Sequence, residues 1–260
     1  MDRLAQPTHV PSKPAFIGVE DEDCWNPPGY ARALPHWRLI GATYFITFRQ
    51  ADSLPEKVLK GWEQETSAWL WGHGIDDRWK KSEPGRFHAA YLALPRELRE
   101  ARRREEAKRF LHELDLCHGS CRLQKAEAQD IVSEALTHFH GQRLWVGDWV
   151  VMPNHVHVIA QPFEGVKIEE WLYSIKRYSA SSLHKVGLIQ KTDFRAGHFW
   201  QKESFDRVVR DLAELSRTRK YIADNGKKLR ASTFRHQACF WLDEFASLDV
   251  PPHSNGVEGR

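Results

Sequence analysis

Two histidines separated by one residue are the side chains best suited to chemistry in this sequence. His155 and His157 occur in VVMPNHVHVI, within a run of apolar and β-branched residues. Side chains alternate between the two faces of a strand, so both imidazoles are expected on the same face. Two neutral imidazoles placed in this way can bind one cation, because each offers a lone pair. The alternative is a pair of sheet histidines that form only local hydrogen bonds.

The chemistry of such a metal site depends on its remaining ligands. A third histidine or a carboxylate predicts a zinc hydrolase. Two histidines and one carboxylate that bind one face of a metal ion predict an iron oxygenase. A cation that polarises a phosphate beside a nucleophile predicts phosphoryl transfer. The histidine pair alone leaves these three routes open.

Tyr221 and Asn225 favour the third route. They lie four residues apart in RKYIADN and therefore share one face of a predicted helix. Leu215 and Ile222 form a neighbouring apolar face that can anchor the helix, which leaves Tyr221 free to point at a site. A tyrosine hydroxyl can attack phosphorus and form a covalent intermediate, and an amide oxygen can bind a metal. A half-buried structural tyrosine is the alternative.

Hydrophobic periodicity predicts the elements that must position these side chains. Strands are predicted at 41–49, 143–152 and 154–161, and the last two form a hairpin around Pro153–Asn154. Helices are predicted at 55–71, 126–141, 168–187 and 211–225, with Asp211 as the N-cap of the last. Residues 194–211 are interpreted as a loop followed by a short extended segment. This order predicts an α+β fold in which helices pack on an antiparallel sheet.

The domain organisation follows from changes in composition along the chain. Residues 1–35 contain six prolines, which predicts an extended leader. A catalytic domain is predicted at 36–230, with an insertion at 72–125. The insertion begins with a loop-like stretch and continues as a highly charged, helix-prone segment. Residues 231–260 are predicted to form a weakly structured tail.

The composition excludes several classes of protein. The chain has 260 residues, of which 41% are hydrophobic and 28% charged, which is typical of a globular protein with a real core. No apolar run approaches the roughly 20 residues that span a bilayer, and the N-terminus lacks an apolar signal core. We therefore expect a cytoplasmic protein without a membrane partner. Four cysteines predict no disulfide framework, and Cys117 and Cys121 in CHGSC lack a second pair for zinc.

Positive charge is concentrated toward the C-terminus. Residues 166–235 contain 16 Lys and Arg against 8 Asp and Glu, so this third of the chain is a candidate surface for a polyanion. Solvated helix faces are the alternative. Phe199 and Trp200 could stack on unpaired bases, although core packing is the favoured interpretation. The candidate phosphate-binding residues are Lys176, Arg177, Arg195, Lys202, Arg207 and Arg210.

The sequence resembles a known family at several points. VVMPNHVHVI resembles the HUH motif (His, hydrophobic, His) of the single-tyrosine, single-strand DNA transposases. LPHWRLIGATYFITFR, SIKRYSASSLHK, GHFWQKESFDRVVRD and KYIADN are similar to segments of its REP-associated tyrosine transposase branch, in the same order. The resemblance extends from about Leu34 to Asn225. It departs after the tyrosine helix, where Gly226 and two lysines stand in place of the frequent Asn-Pro.

The resemblance implies a complete site and activity. His155 and His157 would bind a divalent metal ion, Mg²⁺ or Mn²⁺, and Asn225 would complete its coordination. Tyr221 would attack DNA. The implied protein is a metal-dependent single-strand DNA endonuclease and strand transferase that acts on hairpin-forming repetitive DNA through a 5′-phosphotyrosine intermediate. The implied fold resembles an RNA-recognition-motif sheet with helices on one side. A homodimer associated with the nucleoid is also implied.

Other interpretations of the same residues remain. Tyr178 and Tyr173 are rival nucleophiles, but Tyr178 has Ser182 where Tyr221 has an amide. A catalytically inactive protein could use the same scaffold to bind structured DNA. An unrelated metallohydrolase could use the histidine pair without a tyrosine.

Overall fold

A five-stranded antiparallel sheet forms the centre of the larger of two compact units. The larger unit combines the parts of the chain before Asp52 and after Cys121, and the smaller unit is Asp52–Cys121. The computed structural model describes residues 6–11, 16, 41–195, 197–229 and 233–239.

The strand order places one strand at the centre of the sheet. The strands are β1 (Tyr44–Arg49), β2 (Leu144–Val151), β3 (His155–Pro162), β4 (Phe205–Val208) and β5 (Arg235–Gln237). Their order across the sheet is β4-β1-β3-β2-β5, and each neighbouring pair is antiparallel. Every residue of β3 is buried, because the sheet is covered on both faces. The histidine motif therefore lies on the central strand.

Seven helices are described. They are α1 (Glu56–Gly72), α2 (Trp79–Ser82), α3 (Pro84–Leu92), α4 (Arg96–Asp115), α5 (Ala126–Thr137), α6 (Ile168–Lys185) and α7 (Leu212–Asn225). The first four belong to the smaller unit and the last three to the larger. The predicted α+β class, with helices packed on an antiparallel sheet, is confirmed.

The two faces of the sheet bury different side chains. Ile46 and Val158 point to one face, where they form the larger apolar core with residues of α5 and α6. Phe45 and Ile159 point to the opposite face, where they form a smaller core with Leu215 and Ile222 of α7. The resemblance implied helices on one side only, and this detail is wrong. The tyrosine helix α7 covers the face that carries the histidines.

The β2–β3 hairpin is confirmed. Its turn is closed by a hydrogen bond from the backbone nitrogen of Met152 to the backbone oxygen of His155, at 2.8 Å. The register between the two strands shifts between Val146 and Trp149, where β2 has one residue more than its partner. Such a bulge bends the strand and redirects the side chains within it. It contains Gly147 and Asp148.

The smaller unit is helical and held together mainly by α1 and α4. The rings of Trp62 and Phe110 are 6.4 Å apart, and the Arg102 guanidinium donates a hydrogen bond to the Thr66 hydroxyl at 3.1 Å. The ends of the unit also meet, because the backbone nitrogen of Ser120 donates to the Asp52 carboxylate at 2.7 Å. The unit includes α1, which precedes the predicted insertion at 72–125, so the domain boundaries stay a prediction.

Most predicted elements of the larger unit are confirmed, and one local interpretation in each unit needs correction. Residues 79–92 form α2 and α3 instead of a loop. Pro84 starts α3 because its missing N–H is not needed at the first helical position, and Phe87 and Tyr91 pack one turn apart with rings 6.2 Å apart. The predicted tail contributes β5, which pairs with β2.

The predicted leader lies mostly outside the described residues. Within residues 6–11, the backbone nitrogen of Thr8 donates to the backbone oxygen of Glu164 at 3.0 Å. The three cysteines that the structure describes are free thiols. Among the described helices, none has the length and hydrophobicity needed to cross a bilayer.

Shortening Ile46 should destabilise the larger unit in proportion to the atoms removed. This side chain is fully buried in the larger core. We expect Ile46→Ala to lower the free energy of unfolding by about 2–5 kcal/mol and Ile46→Val by about 0.5–1.5 kcal/mol. Urea denaturation measures both. Equal losses for the two variants would contradict close packing at this position.

Candidate functional site

The two histidines of β3 form a buried pair. Their Nε2 atoms are 3.0 Å apart, and both side chains have no exposed surface. Two nitrogens that each lie about 2.1 Å from one metal ion, at right angles, are separated by about 3.0 Å. The observed separation therefore fits two neighbouring ligands of a single cation.

A hydrogen bond at Nδ1 holds each imidazole in place. Nδ1 of His155 lies 2.7 Å from Oδ1 of Asn154, an acceptor, so this nitrogen carries the proton and leaves Nε2 with its lone pair. Nδ1 of His157 lies 2.7 Å from the Thr47 hydroxyl, which can donate or accept. When Thr47 accepts, Nε2 of His157 also has its lone pair free. Both tautomers needed for metal binding are therefore available.

Burial keeps the pair neutral. Burial lowers the pKa of His155 to about 3. Burial, together with the neighbouring imidazole of His155, lowers the pKa of His157 well below its usual value. Protonation would block the lone pair that a metal needs, so these pKa shifts favour metal binding at neutral pH. The donor set suits a divalent cation.

Helix α7 brings Tyr221 to the histidine pair. The Tyr221 hydroxyl lies 3.3 Å from Nε2 of His157, and the two ring centres are 5.2 Å apart. The Phe45 ring stacks on His157 at 5.5 Å and meets the Tyr221 ring edge-on at 6.1 Å. Leu215 and Ile222 are buried beneath the helix, as its apolar spacing predicted. Tyr221 itself is half-buried and lies beside the site.

The start of α7 is fixed by its cap and an ion pair. The Asp211 carboxylate accepts the backbone N–H of Glu214 at 2.6 Å, so the predicted N-cap is confirmed. The Glu214 carboxylate binds the Arg207 guanidinium of β4 and accepts the backbone N–H of Arg210 at 2.9 Å. These contacts join the first turn of α7 to the edge of the sheet.

Asn225 lies at the end of the same helix. Its side chain is buried, and its amide nitrogen is 3.5 Å from the backbone oxygen of Tyr221. This distance is too long for a strong hydrogen bond. The amide could turn its oxygen toward a cation, and its role as a third ligand stays a prediction.

The six candidate phosphate-binding residues occupy different parts of the larger unit. Lys176 is half-buried and donates to the backbone oxygens of Gln201 and Lys202, at 2.9 and 3.1 Å, and to the Ser204 hydroxyl at 2.8 Å. Burial lowers the pKa of its ammonium group to about 7. This lysine therefore joins α6 to the segment before β4.

The other five candidates differ in exposure and position. Arg207 is half-buried on the histidine face, with its guanidinium 5.3 Å from the centre of the Phe45 ring. Phe199 and Trp200 are buried in the larger core, so the packing interpretation is confirmed. The exposed candidates are Arg177, Arg195, Lys202 and Arg210. The DNA-binding roles stay predictions.

Sequence reasoning did not identify several residues that shape the site. Thr47 belongs to a predicted strand, but only the pairing of β1 with β3 places it opposite His157. The same register places Arg49 opposite His155, on the same face of the sheet. The sequence predicts Asn154 only as a turn residue, although its position beside the histidine motif is a usable signal.

Comparison with known proteins identifies a class for the segment that contains the site. The family model described as "Transposase IS200 like" matches residues 124–225. The resemblance predicted from the sequence is therefore confirmed over this stretch, which contains His155, His157, Tyr221 and Asn225. Transposases are DNA-processing proteins, and this is the functional class that the match supports. No curated protein matches the chain significantly.

One solved structure is similar at low identity. It shows a REP-associated tyrosine transposase bound to a REP hairpin, with 13% sequence identity and a TM-score of 0.36. The alignment covers 77% of this chain and 73% of that chain. A TM-score this low does not establish a shared fold.

Removing the Thr47 hydroxyl should weaken metal binding. In Thr47→Val, Nδ1 of His157 loses the partner that holds its ring and its tautomer. We expect the affinity for Mn²⁺ to fall about 10- to 100-fold, the usual effect of losing such a partner. Isothermal titration calorimetry measures the change.

Thr43→Val provides a matched control on the same face of the sheet. Thr43 is also fully buried, but its hydroxyl has no hydrogen-bond partner among the described residues. The same chemical change there should leave the affinity for Mn²⁺ unaltered. Equal losses in both variants would contradict the role assigned to Thr47.

The lowered pKa of Lys176 should make stability depend on pH. An unfolded lysine has a pKa of about 10.4, so between pH 7 and about pH 10 the unfolded chain binds a proton that the folded chain does not. The free energy of unfolding should therefore rise with pH across this window, and Lys176→Met should lack this contribution.

Urea denaturation at pH 7 and pH 9.5 tests the pH dependence. Lys185→Met, an exposed change on the same helix, provides the baseline. If the free energies of unfolding of the unaltered protein and Lys176→Met differ by the same amount at both pH values, the ammonium group stays charged. Its three oxygen acceptors would then hold the charge.

Proposed function

We propose that this protein is a metal-dependent single-strand DNA endonuclease and strand transferase, and that Tyr221 is its nucleophile. The observation that carries the proposal is the position of the Tyr221 hydroxyl, 3.3 Å from one member of a neutral histidine pair whose Nε2 atoms are 3.0 Å apart. A hydrolase that used only the histidines would not need a tyrosine at this point.

The residues around the site suit phosphoryl transfer. His155, His157 and Asn225 are the residues that would hold a Mg²⁺ or Mn²⁺ ion. When bound, this ion would polarise the scissile phosphate and stabilise its developing charge. Leu215 and Ile222 fix α7 on the sheet, so the Tyr221 hydroxyl approaches the phosphate from a defined direction.

The proposed reaction conserves the number of phosphodiester bonds. The Tyr221 oxygen forms a bond to phosphorus while the bond from phosphorus to the 3′ oxygen breaks. The proton of the phenol ends on the departing 3′ oxygen, which leaves a 5′-phosphotyrosine and a free 3′-hydroxyl. Attack by another 3′-hydroxyl reverses the step and joins two strands without an external energy source.

The proposed substrate is hairpin-forming repetitive DNA, bound by a homodimer. This assignment rests on the motifs that resemble REP-associated tyrosine transposases. The surplus of positive charge in residues 166–235 supports a polyanionic substrate. Arg207 and Arg210 lie next to the first turn of α7, where they could contact the DNA backbone near the nucleophile.

A covalent-adduct assay tests the proposal. Labelled single-stranded hairpin DNA from the flanks of the gene is incubated with the protein and Mn²⁺ or Mg²⁺ and separated on a denaturing gel. We expect a metal-dependent shifted band that disappears in Tyr221→Phe, because the variant lacks the attacking oxygen. It should still bind the hairpin.

Tyr178→Phe is the matched control. Tyr178 is 52% exposed on α6, which packs on the face of the sheet opposite the histidines. The band should persist in this variant. Loss of the band in Tyr178→Phe alone would assign the nucleophile to α6. Tight hairpin binding with no band under either metal would favour a catalytically inactive DNA-binding protein.

A further inference from the structure

The segment Thr233–Cys239 follows the tyrosine helix and contributes no residue to the site described above. It contains β5, which pairs with the outer edge of β2 from Trp149 to Val151. The segment is also linked to α7 at two separate places, at the C-cap residue Gly226 and, through Asp148, at Arg219. Both contacts involve residues to which the proposed function assigns no role.

The first contact is between Phe234 and Gly226. Phe234 packs against the smaller core, and its ring lies directly on the backbone of Gly226, the C-cap residue that follows α7. A Cβ atom at position 226 would overlap the ring. Gly226 has ordinary helical dihedral angles, with φ of −75°, so the close approach of Phe234 is the feature that requires glycine here.

The second contact passes through Asp148 in the bulge of β2. One oxygen of this carboxylate accepts the backbone N–H of Cys239 at 2.7 Å, and the other accepts Nε of Arg219 at 2.9 Å. Asp148 is almost completely buried, so the ion pair is strongly directional. It links the end of the segment to α7.

The two contacts lie on either side of the nucleophile. Arg219 is two residues before Tyr221, and Gly226 is five residues after it. The first turn of α7 is already held by Asp211 and Glu214. The contacts with residues 233–239 therefore act on the half of the helix that carries Tyr221.

We propose that the segment Thr233–Cys239 is a brace that sets the position of Tyr221 relative to His155 and His157. Phe234 and Asp148 are then positioning residues, which act through α7 without touching the substrate. The inference rests on the proposed function, because it concerns the rate at which Tyr221 attacks DNA.

A double-mutant cycle on Phe234 and Gly226 tests the brace. The rate of adduct formation is measured at saturating hairpin DNA, together with the affinities for the hairpin and for Mn²⁺. Displacing a reacting group by about 1 Å can cost about 100-fold in rate. We expect Phe234→Ala and Gly226→Ala each to slow the reaction about 10- to 100-fold at saturating Mn²⁺, with the affinity for the hairpin unchanged.

The double variant distinguishes the brace from two unrelated defects. Alanine is a better helix former than glycine, so Gly226→Ala should harm the protein only by displacing the Phe234 ring. Once the ring is absent, the added methyl group has nothing to displace. The double variant should therefore be no slower than Phe234→Ala alone. Effects that multiply would overturn the proposal.

Charge at position 219 provides a second, independent test. Arg219→Met should slow adduct formation, and Arg219→Lys should restore part of the rate, because an ammonium group can still bind Asp148.

Hydrogen exchange provides a readout without catalysis: Phe234→Ala should speed exchange in 219–225 and leave 212–218 unchanged. Equal rates in Arg219→Met and Arg219→Lys, or uniform exchange along α7, would contradict the brace.

The failure of the brace and the failure of the proposed function give different results. If the unaltered protein forms no adduct, the proposed function fails, and the role of the brace fails with it. If the unaltered protein reacts and Phe234→Ala reacts at the same rate, only the brace is refuted. Phe139→Ala, a similar loss of packing against the larger core just after α5, serves as the control and should leave the rate unchanged.

Discussion

The burial of two neutral imidazoles on one central strand is the constraint on which the rest of the structure depends. A buried imidazole needs a partner for each ring nitrogen, because an unsatisfied polar atom away from water is costly. The two inner Nε2 atoms offer lone pairs to a cation or to a hydroxyl donor, and the outer Nδ1 atoms need partners from elsewhere. Asn154 supplies one from the adjacent turn, and Thr47 supplies the other from the neighbouring strand. The two histidines therefore require both the register between β1 and β3 and the geometry of the β2–β3 turn.

This constraint divides the sheet into two faces with different tasks. The face covered by α5 and α6 supplies most of the larger apolar core. The opposite face combines apolar anchors with the polar groups of the site. Helix α7 must therefore pack firmly and still present a hydroxyl group. It does so because Leu215 and Ile222 lie beneath the helix while Tyr221 lies at its side, toward His157.

The sequence was informative where the signal was local and periodic. Alternation in β3 predicts that the histidines share a face, and the helical spacing of Leu215, Ile222 and Tyr221 predicts their division between core and site. Contacts between distant parts of the chain leave no periodic pattern in the sequence. Thr47 is 110 residues from His157. Asp148 lies in the bulge of β2, where its carboxylate binds both Arg219 and Cys239. Strand β5 is too short, at three residues, for alternation to be recognised.

The hydrogen bond between Ser120 and Asp52 has a consequence for the order of folding. Strands β1 and β3 must pair across roughly a hundred intervening residues, and closing a long flexible loop costs entropy and slows folding. Most of that span is the smaller helical unit, whose helices are stabilised by contacts within the unit. Once this unit has formed, its first and last residues are held close together. The effective loop between β1 and β3 is then shorter by about the length of this unit, so the long insertion adds little to the cost of assembling the sheet.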